Sequence, residues 1–277
     1  MAEILDGKKL AEKILEKVRA ETTSLGKHLR LAIVLVGENQ VIRKFIEQKK
    51  KTANSAGIDI RIYAFGPKIT TNELRKKMAQ IVHEEKNSGA IVQLPLPVHI
   101  NTQYILNSVP PGKDVDMLSA KSLGNFIVGK SPIMSPVAGA VKALFAEHNI
   151  EYLGKKIVIV GAGNLVGRPA ALWLLSEHAT FSIINRDTPG PEKFLREADI
   201  IISGIGKPNH ITADLVKEGV IVIDAGTSES EGKLAGDAEF GSVSKKASFI
   251  TPVPGGIGPV TIAILLKNLV TLVKLKK

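Results

Sequence analysis

The run Ile157-Val-Ile-Val160, followed at once by Gly161, Gly163 and Gly167 and then by Ala170–Glu177, constrains the fold more than any other stretch of this chain. Four adjacent β-branched residues favour a strand that is buried on both faces. The glycines turn the chain tightly, and the segment beyond them has the composition of a helix. A strand with no polar face belongs in a parallel sheet covered by helices on both sides.

The same alternation recurs on either side. Leu10, Ile14, Leu15 and Val18 repeat at helical spacing, Leu31–Val36 reads as a buried strand, and about 40–56 as a charged helix. Ile60–Ala64, Thr71–Glu85 and Ala90–Leu94 follow as strand, helix and strand. Pro95, Pro97, Pro110, Pro111 and Gly112 then interrupt the pattern with a loop-rich stretch. Beyond the glycine loop, Thr180–Ile184, Asp199–Ile202 and Val220–Asp224 read as strands, and a last helix spans about 259–275. With 277 residues to place, the expected architecture is two three-layer α/β domains with a cleft between them, the second of the Rossmann type. The expected division is 1–130, completed by the C-terminal segment 252–277, and 131–251.

Composition narrows the function classes. No cysteine is present, which removes disulfides, thiolate metal sites and cysteine nucleophiles. Aromatic residues make up 4%, too few for a nucleic-acid surface built on stacking. The six histidines are scattered without metal-ligand spacing, and G-x-S-x-G occurs nowhere, so neither a metal centre nor a serine nucleophile is expected. No apolar run of membrane-spanning length is evident and the first residues are acidic, so a cytoplasmic protein that binds neither membrane nor nucleic acid is expected. The net charge of +10 is uneven: residues 1–150 carry 22 Lys/Arg against 14 Asp/Glu, residues 151–250 carry 11 against 13, and residues 251–277 carry 4 against none. A basic first half is either a solvated face or a means of steering a polyanionic substrate.

The glycine loop points to a nucleotide. Gly161, Gly163 and Gly167, with Asn164, Leu165 and Val166 between them, form G-x-G-x-x-x-G, one residue longer than the commonest dinucleotide fingerprint. Such a loop lets the backbone approach a pyrophosphate and aims a helix N-terminus at it. At the end of the next strand an NAD site wants a carboxylate and a 2′-phosphate wants a cation. Asn185 stands in the acidic place and Arg186 follows it, which favours NADP over NAD, with Asp187 as the group that would reverse the preference.

Three further segments carry a resemblance: Ile91-Val-Gln-Leu-Pro-Leu-Pro97, Lys113-Asp-Val-Asp116 and Ile250-Thr-Pro-Val-Pro-Gly-Gly-Ile-Gly-Pro-Val-Thr261. Together with Val36-Gly37 before a lysine-bearing helix, they make the chain resemble the bifunctional methylenetetrahydrofolate dehydrogenase/cyclohydrolase family along its whole length. The resemblance implies a folate-binding first domain and an NADP-binding second one. It implies oxidation of 5,10-methylenetetrahydrofolate to the methenyl form, then hydrolysis to 10-formyltetrahydrofolate, by a homodimer acting on polyglutamylated folate. It assigns Lys49 as the acid/base of the hydrolytic step, Gln93 as its hydrogen-bond partner and Asp116 as the carboxylate that reads the pterin. Phe45, Pro254, Gly255 and Gly256 are implied as substrate contacts, and Ser135, Ser203, Gly204, Ile205 and Thr251 join the glycine loop as cofactor contacts.

The departures are specific. The family's Tyr-x-x-x-Lys reads Phe45-Ile-Glu-Gln-Lys49, the serine three residues earlier is Ile42, and Asp-Val-Asp-Gly ends in Met117. The Arg-Ser after the first cofactor glycine is Ala162-Gly163. A weakened cyclohydrolase is therefore expected. The alternatives are a dehydrogenase without useful cyclohydrolase activity and a catalytically silent folate- or nucleotide-binding protein.

Overall fold

The structure is a computed structural model that describes residues 1–37, 40–230 and 233–276. Its strands are β1 (Glu3–Ile4), β2 (Leu29–Val36), β3 (Ile58–Phe65), β4 (Gly89–Val92), β5 (Ile157–Val160), β6 (Phe181–Ile184), β7 (Ile200–Ser203), β8 (Ile221–Asp224), β9 (Ser228–Ser230), β10 (Lys233–Ala235) and β11 (Phe249–Ile250). Its α-helices are α1 (Gly7–Leu25), α2 (Gln40–Ser55), α3 (Thr71–His83), α4 (Thr102–Leu106), α5 (Ala120–Ile127), α6 (Pro136–Glu147), α7 (Gly167–Ser176), α8 (Pro191–Glu197), α9 (Phe240–Val243) and α10 (Ile257–Lys274). The chain forms two compact units, Glu12–Pro136 with Ile262–Lys277, and Met1–Ala11 with Val137–Thr261.

In the first of these units a parallel sheet runs in the order β3-β2-β4. The period-two geometry of the central strand divides its side chains between two layers. Leu29, Leu31, Ile33 and Leu35 enter one core with Ile262, Leu265, Leu266 and Leu269 of α10. Ala32, Val34 and Val36 enter the other with Leu74, Met78 and Ile81 of α3. Helix α3 starts on a capping box, in which the Thr70 hydroxyl accepts from the Glu73 N–H and the Glu73 carboxylate accepts from the Thr70 N–H.

The other unit holds a six-stranded sheet in the order β1-β11-β8-β7-β5-β6, its pairings parallel throughout. From β5 the chain first adds β6 on one side and then β7 on the other. That reversal opens a crevice at the carboxyl ends of β5 and β7, the place where open α/β sheets bind nucleotides.

Four sequence expectations need correction. The stretch read as loop between Pro95 and residue 130 contains α4 and α5, each started by a capping side chain, Asn101 and Ser119. The first eleven residues join the nucleotide-type sheet, because β1 pairs with β11. The segment 252–277 is shared, since the division between units falls inside α10 after Thr261. Finally, α10 is long and apolar enough to cross a membrane, with mean hydropathy 1.6 over 18 residues, but 61% of it is buried within the protein.

Candidate active site

In the unit of residues 12–136 three of the expected residues converge. Lys49 lies near the middle of α2, and Gln93 follows directly after β4, held there by its N–H on the Val34 carbonyl at 2.8 Å. The Lys49 ammonium donates to Gln93 Oε1 at 2.8 Å, while Gln93 Nε2 donates to the Leu94 carbonyl at 3.0 Å. The second bond fixes which end of the amide faces the lysine. Burial pushes the Lys49 amine below its ordinary value, and the nearby Asp116 carboxylate partly opposes that shift. Phe45 stands one turn earlier on α2 and is half-buried, and Ile42 packs against the core.

Asp114 and Asp116 separate cleanly into two roles. Asp114 is buried, and its carboxylate accepts the N–H groups of Leu118 at 3.3 Å and Ser119 at 3.0 Å, so it is a loop cap. The Asp116 carboxylate has no hydrogen bond to another described residue. Desolvation raises its pKa to about 6; Lys49 pulls it down and Asp114 pushes it up. It is a half-buried, partly desolvated acceptor without a donor of its own, a condition in which a ligand's N–H groups are valuable. Met117, where the family has glycine, keeps the left-handed backbone at φ +56° with its side chain 1% exposed.

In the unit that contains β5, Gly161, Gly167 and Gly204 prove to be required. Gly161 has φ +92°, and a Cβ there would lie 2.6 Å from Ile205 Cγ2. A Cβ on Gly167 would lie 1.9 Å from the Gly161 carbonyl oxygen, and one on Gly204 would lie 2.4 Å from Val166 Cβ. The loops after β5 and β7 therefore abut with no room for side chains. Gly163 faces open space. The N–H groups of Asn164, Leu165 and Val166 bond to no described residue, so they stand available at the start of α7. Open glycine, free N–H groups and a helix N-terminus fit a pyrophosphate.

At the end of β6, Asn185 Oδ1 accepts the Asp187 N–H at 2.9 Å, and Arg186 is 93% exposed, 3.7 Å from the Asp187 carboxylate. An exposed guanidinium with only a solvated carboxylate beside it fits a 2′-phosphate. Pro254, Gly255 and Gly256 form the turn before α10, where Gly255 has φ +114° and Gly256 donates to the Pro252 carbonyl at 2.8 Å. Ser135 is buried immediately before α6.

Two assignments change. Ser203 is fully buried and donates its hydroxyl to Asp237 Oδ2 at 2.7 Å. The Thr251 hydroxyl accepts the Asp224 N–H at 2.7 Å. Both side chains are engaged inside the protein, which leaves only the backbone of these positions to meet a ligand. Asp237, which sequence inspection passed over, is the residue that organises this region.

Comparison with known proteins agrees with both halves. Residues 5–116 match the model of the tetrahydrofolate dehydrogenase/cyclohydrolase catalytic domain, and residues 135–277 match that of its NAD(P)-binding domain. The bifunctional protein FolD of Nautilia profundicola is 42% identical over 275 residues, covering 98% of this chain and 97% of that protein. The crystal structure of the bifunctional enzyme FolD from Campylobacter jejuni is 40% identical, with TM-score 0.95 and full coverage of both chains. The Trypanosoma brucei FolD, solved with NADP cofactor and an inhibitor, is 31% identical with TM-score 0.94, covering 99% of this chain and 98% of that one.

Proposed function

The chain belongs to the tetrahydrofolate dehydrogenase/cyclohydrolase family, and from that membership we infer that it oxidises 5,10-methylenetetrahydrofolate with NADP and hydrolyses the methenyl product to 10-formyltetrahydrofolate. The observation that carries the hydrolytic half is the 2.8 Å bond between a partly desolvated Lys49 and an oriented Gln93, with the unpartnered Asp116 close by.

NADP, when bound, supplies the acceptor for the hydride. The loop 161–167 holds its pyrophosphate and Arg186 its 2′-phosphate. Asp116, ionised above pH 6, accepts the N–H donors of the amino-pyrimidine edge and so fixes the pterin. Loss of hydride leaves a cation without any protein base. Hydrolysis is different: water must lose a proton and a ring nitrogen must gain one. Lys49 does both, because burial lowers the pKa of its amine and so makes the neutral form easier to reach. Gln93 holds that amine in place. Phe45 has no hydroxyl to share the task, so the cyclohydrolase is weaker relative to the dehydrogenase than in proteins with the family's tyrosine.

The finer reading is a cytoplasmic homodimer acting on polyglutamylated folate. The outer edge of β3, eight residues long and unpaired among the described residues, with Ile62 37% exposed, supports self-association. The basic excess in residues 1–150 supports a polyanionic tail. An absorbance assay for methenyl formation with NADP and then NAD, followed by separate measurement of methenyl hydrolysis, tests the whole reading. Absence of turnover with both cofactors, in protein that still binds folate, would leave a silent binder.

A further inference from the structure

Two buried carboxylates lie behind the cofactor crevice, outside the residues assigned so far to either reaction. Asp224 ends β8 and is 3% exposed, and Asp237 is fully buried. Asp224 Oδ1 accepts the Gly226 N–H at 2.9 Å and Oδ2 accepts the Ala238 N–H at 2.8 Å. This anchors the segment that carries Asp237. Asp237 Oδ2 in turn accepts the Ser203 hydroxyl at 2.7 Å and the Ile205 N–H at 2.8 Å, and Oδ1 accepts the Lys207 N–H at 2.9 Å. One carboxylate thus takes three donors from the loop that leaves β7.

The surroundings are cut to fit these carboxylates. A Cβ on Gly226 would lie 2.3 Å from Asp237 Cγ, and one on Gly236 would lie 2.2 Å from Asp224 Oδ2. The loop they hold is the one whose Ile205 side chain closes over Gly161 and whose Gly204 abuts Val166. We propose that Asp237 is a positioning residue for the nucleotide: it sets the height of the Gly204–Lys207 loop against the 161–167 loop and thereby the width of the cofactor crevice. The inference rests on the reading of 161–167 as the pyrophosphate loop. Asp224 acts one step further back, by holding Ala238 and so the backbone from which Asp237 projects.

The chemistry makes Asp237 hard to replace. All three partners are donors, so an isosteric amide must turn its NH2 group toward at least one of them, exchanging an attraction for a repulsion. Asp237→Asn is therefore expected to raise the KM and Kd for NADP by about tenfold to a hundredfold, as the loss of a charge-assisted bond does, while kcat at saturating NADP falls less than fivefold. Ser203→Ala removes one of the three donors and leaves the other two, so a rise of a few-fold is expected. Hydrolysis of methenyltetrahydrofolate needs no nucleotide and depends on Lys49 and Gln93 in the other compact unit, so it should hold near the wild-type rate in both variants. NADP affinity can be followed by the emission of Trp173, the one tryptophan, which lies on α7 behind the glycine loop.

Wild-type affinity is measured first. A wild-type chain that hydrolyses the methenyl substrate but binds no nucleotide removes the pyrophosphate reading and this inference with it. If the wild type binds NADP and Asp237→Asn binds it within twofold, the positioning role alone is overturned. Should Asp237→Asn lose both activities together, Ser203→Ala decides: an unchanged KM for NADP in that variant refutes the proposal, and a selective rise supports it.

Discussion

Asp116 is expected to lower the stability of the protein at the pH where it works, and Asp116→Asn tests this. Its carboxyl pKa is about 6 in the folded chain against an ordinary 3.8. A raised folded value means that protonation favours the fold. That contribution is complete below about pH 4 and is lost as pH rises to about 6. A gap of about two units corresponds to ~3 kcal/mol. Asp116 is only half-buried, so solvent screening reduces the figure, and the asparagine amide must itself be desolvated at ~1 kcal/mol. The net gain for Asp116→Asn at pH 7.5 is then ~1–2 kcal/mol. For a chain of this size each kcal/mol moves Tm by about 2–4 °C, giving a rise of about 2–8 °C. At pH 5 the wild-type carboxyl is already largely protonated, and roughly half the difference should have gone.

Function should move the opposite way. An amide offers one acceptor and one donor where the carboxylate offers acceptors alone, so folate affinity should fall about tenfold to a hundredfold. The assay is thermal unfolding by circular dichroism at pH 5 and 7.5, with KM for folate measured alongside. A variant that is less stable than wild type by the same margin at both pH values would show that Asp116 supports the fold, as Asp114 does, and the desolvation reasoning would be wrong.

Other outcomes follow from the same geometry. Lys49→Ala should reduce methenyl hydrolysis by roughly 10²–10⁴-fold while sparing most of the hydride transfer, and Phe45→Tyr should raise hydrolysis; near-full hydrolysis in Lys49→Ala would remove the proton-handling role. Arg186→Ala should raise KM for NADP by about one to two decades and leave NAD nearly unchanged, and an equal effect on both cofactors would show that Arg186 does not read the 2′-phosphate. Polyglutamylated folate should bind more tightly than the monoglutamate at low salt, with the gap closing as ionic strength rises; equal binding at low salt would return the basic residues of the first half to ordinary solvation.

Residues whose role follows from their own type and register were legible in the sequence. The alternation of β2 between two cores, the glycine loop after β5 and the pairing of Lys49 with Gln93 are of this kind, because local periodicity or a motif fixes them. What escaped was fixed by partners far along the chain. β1 is two residues long and exists only because β11 lies beside it. The division inside α10 leaves no mark in a continuous apolar helix. Asp114 and Asp116 are identical in type, and only the N–H groups of Leu118 and Ser119 make one of them a cap. Ser203 and Thr251 were implied as cofactor contacts by the family resemblance, yet their hydroxyls meet the Asp237 carboxylate and the Asp224 N–H. The signal for that pair was present in Gly226 and Gly236, glycines with no turn motif around them, since each leaves room for a carboxylate. The candidate ligand contacts were thus named by residue type and motif, whereas the buried carboxylates Asp224 and Asp237 left their trace only as missing side chains at their neighbours.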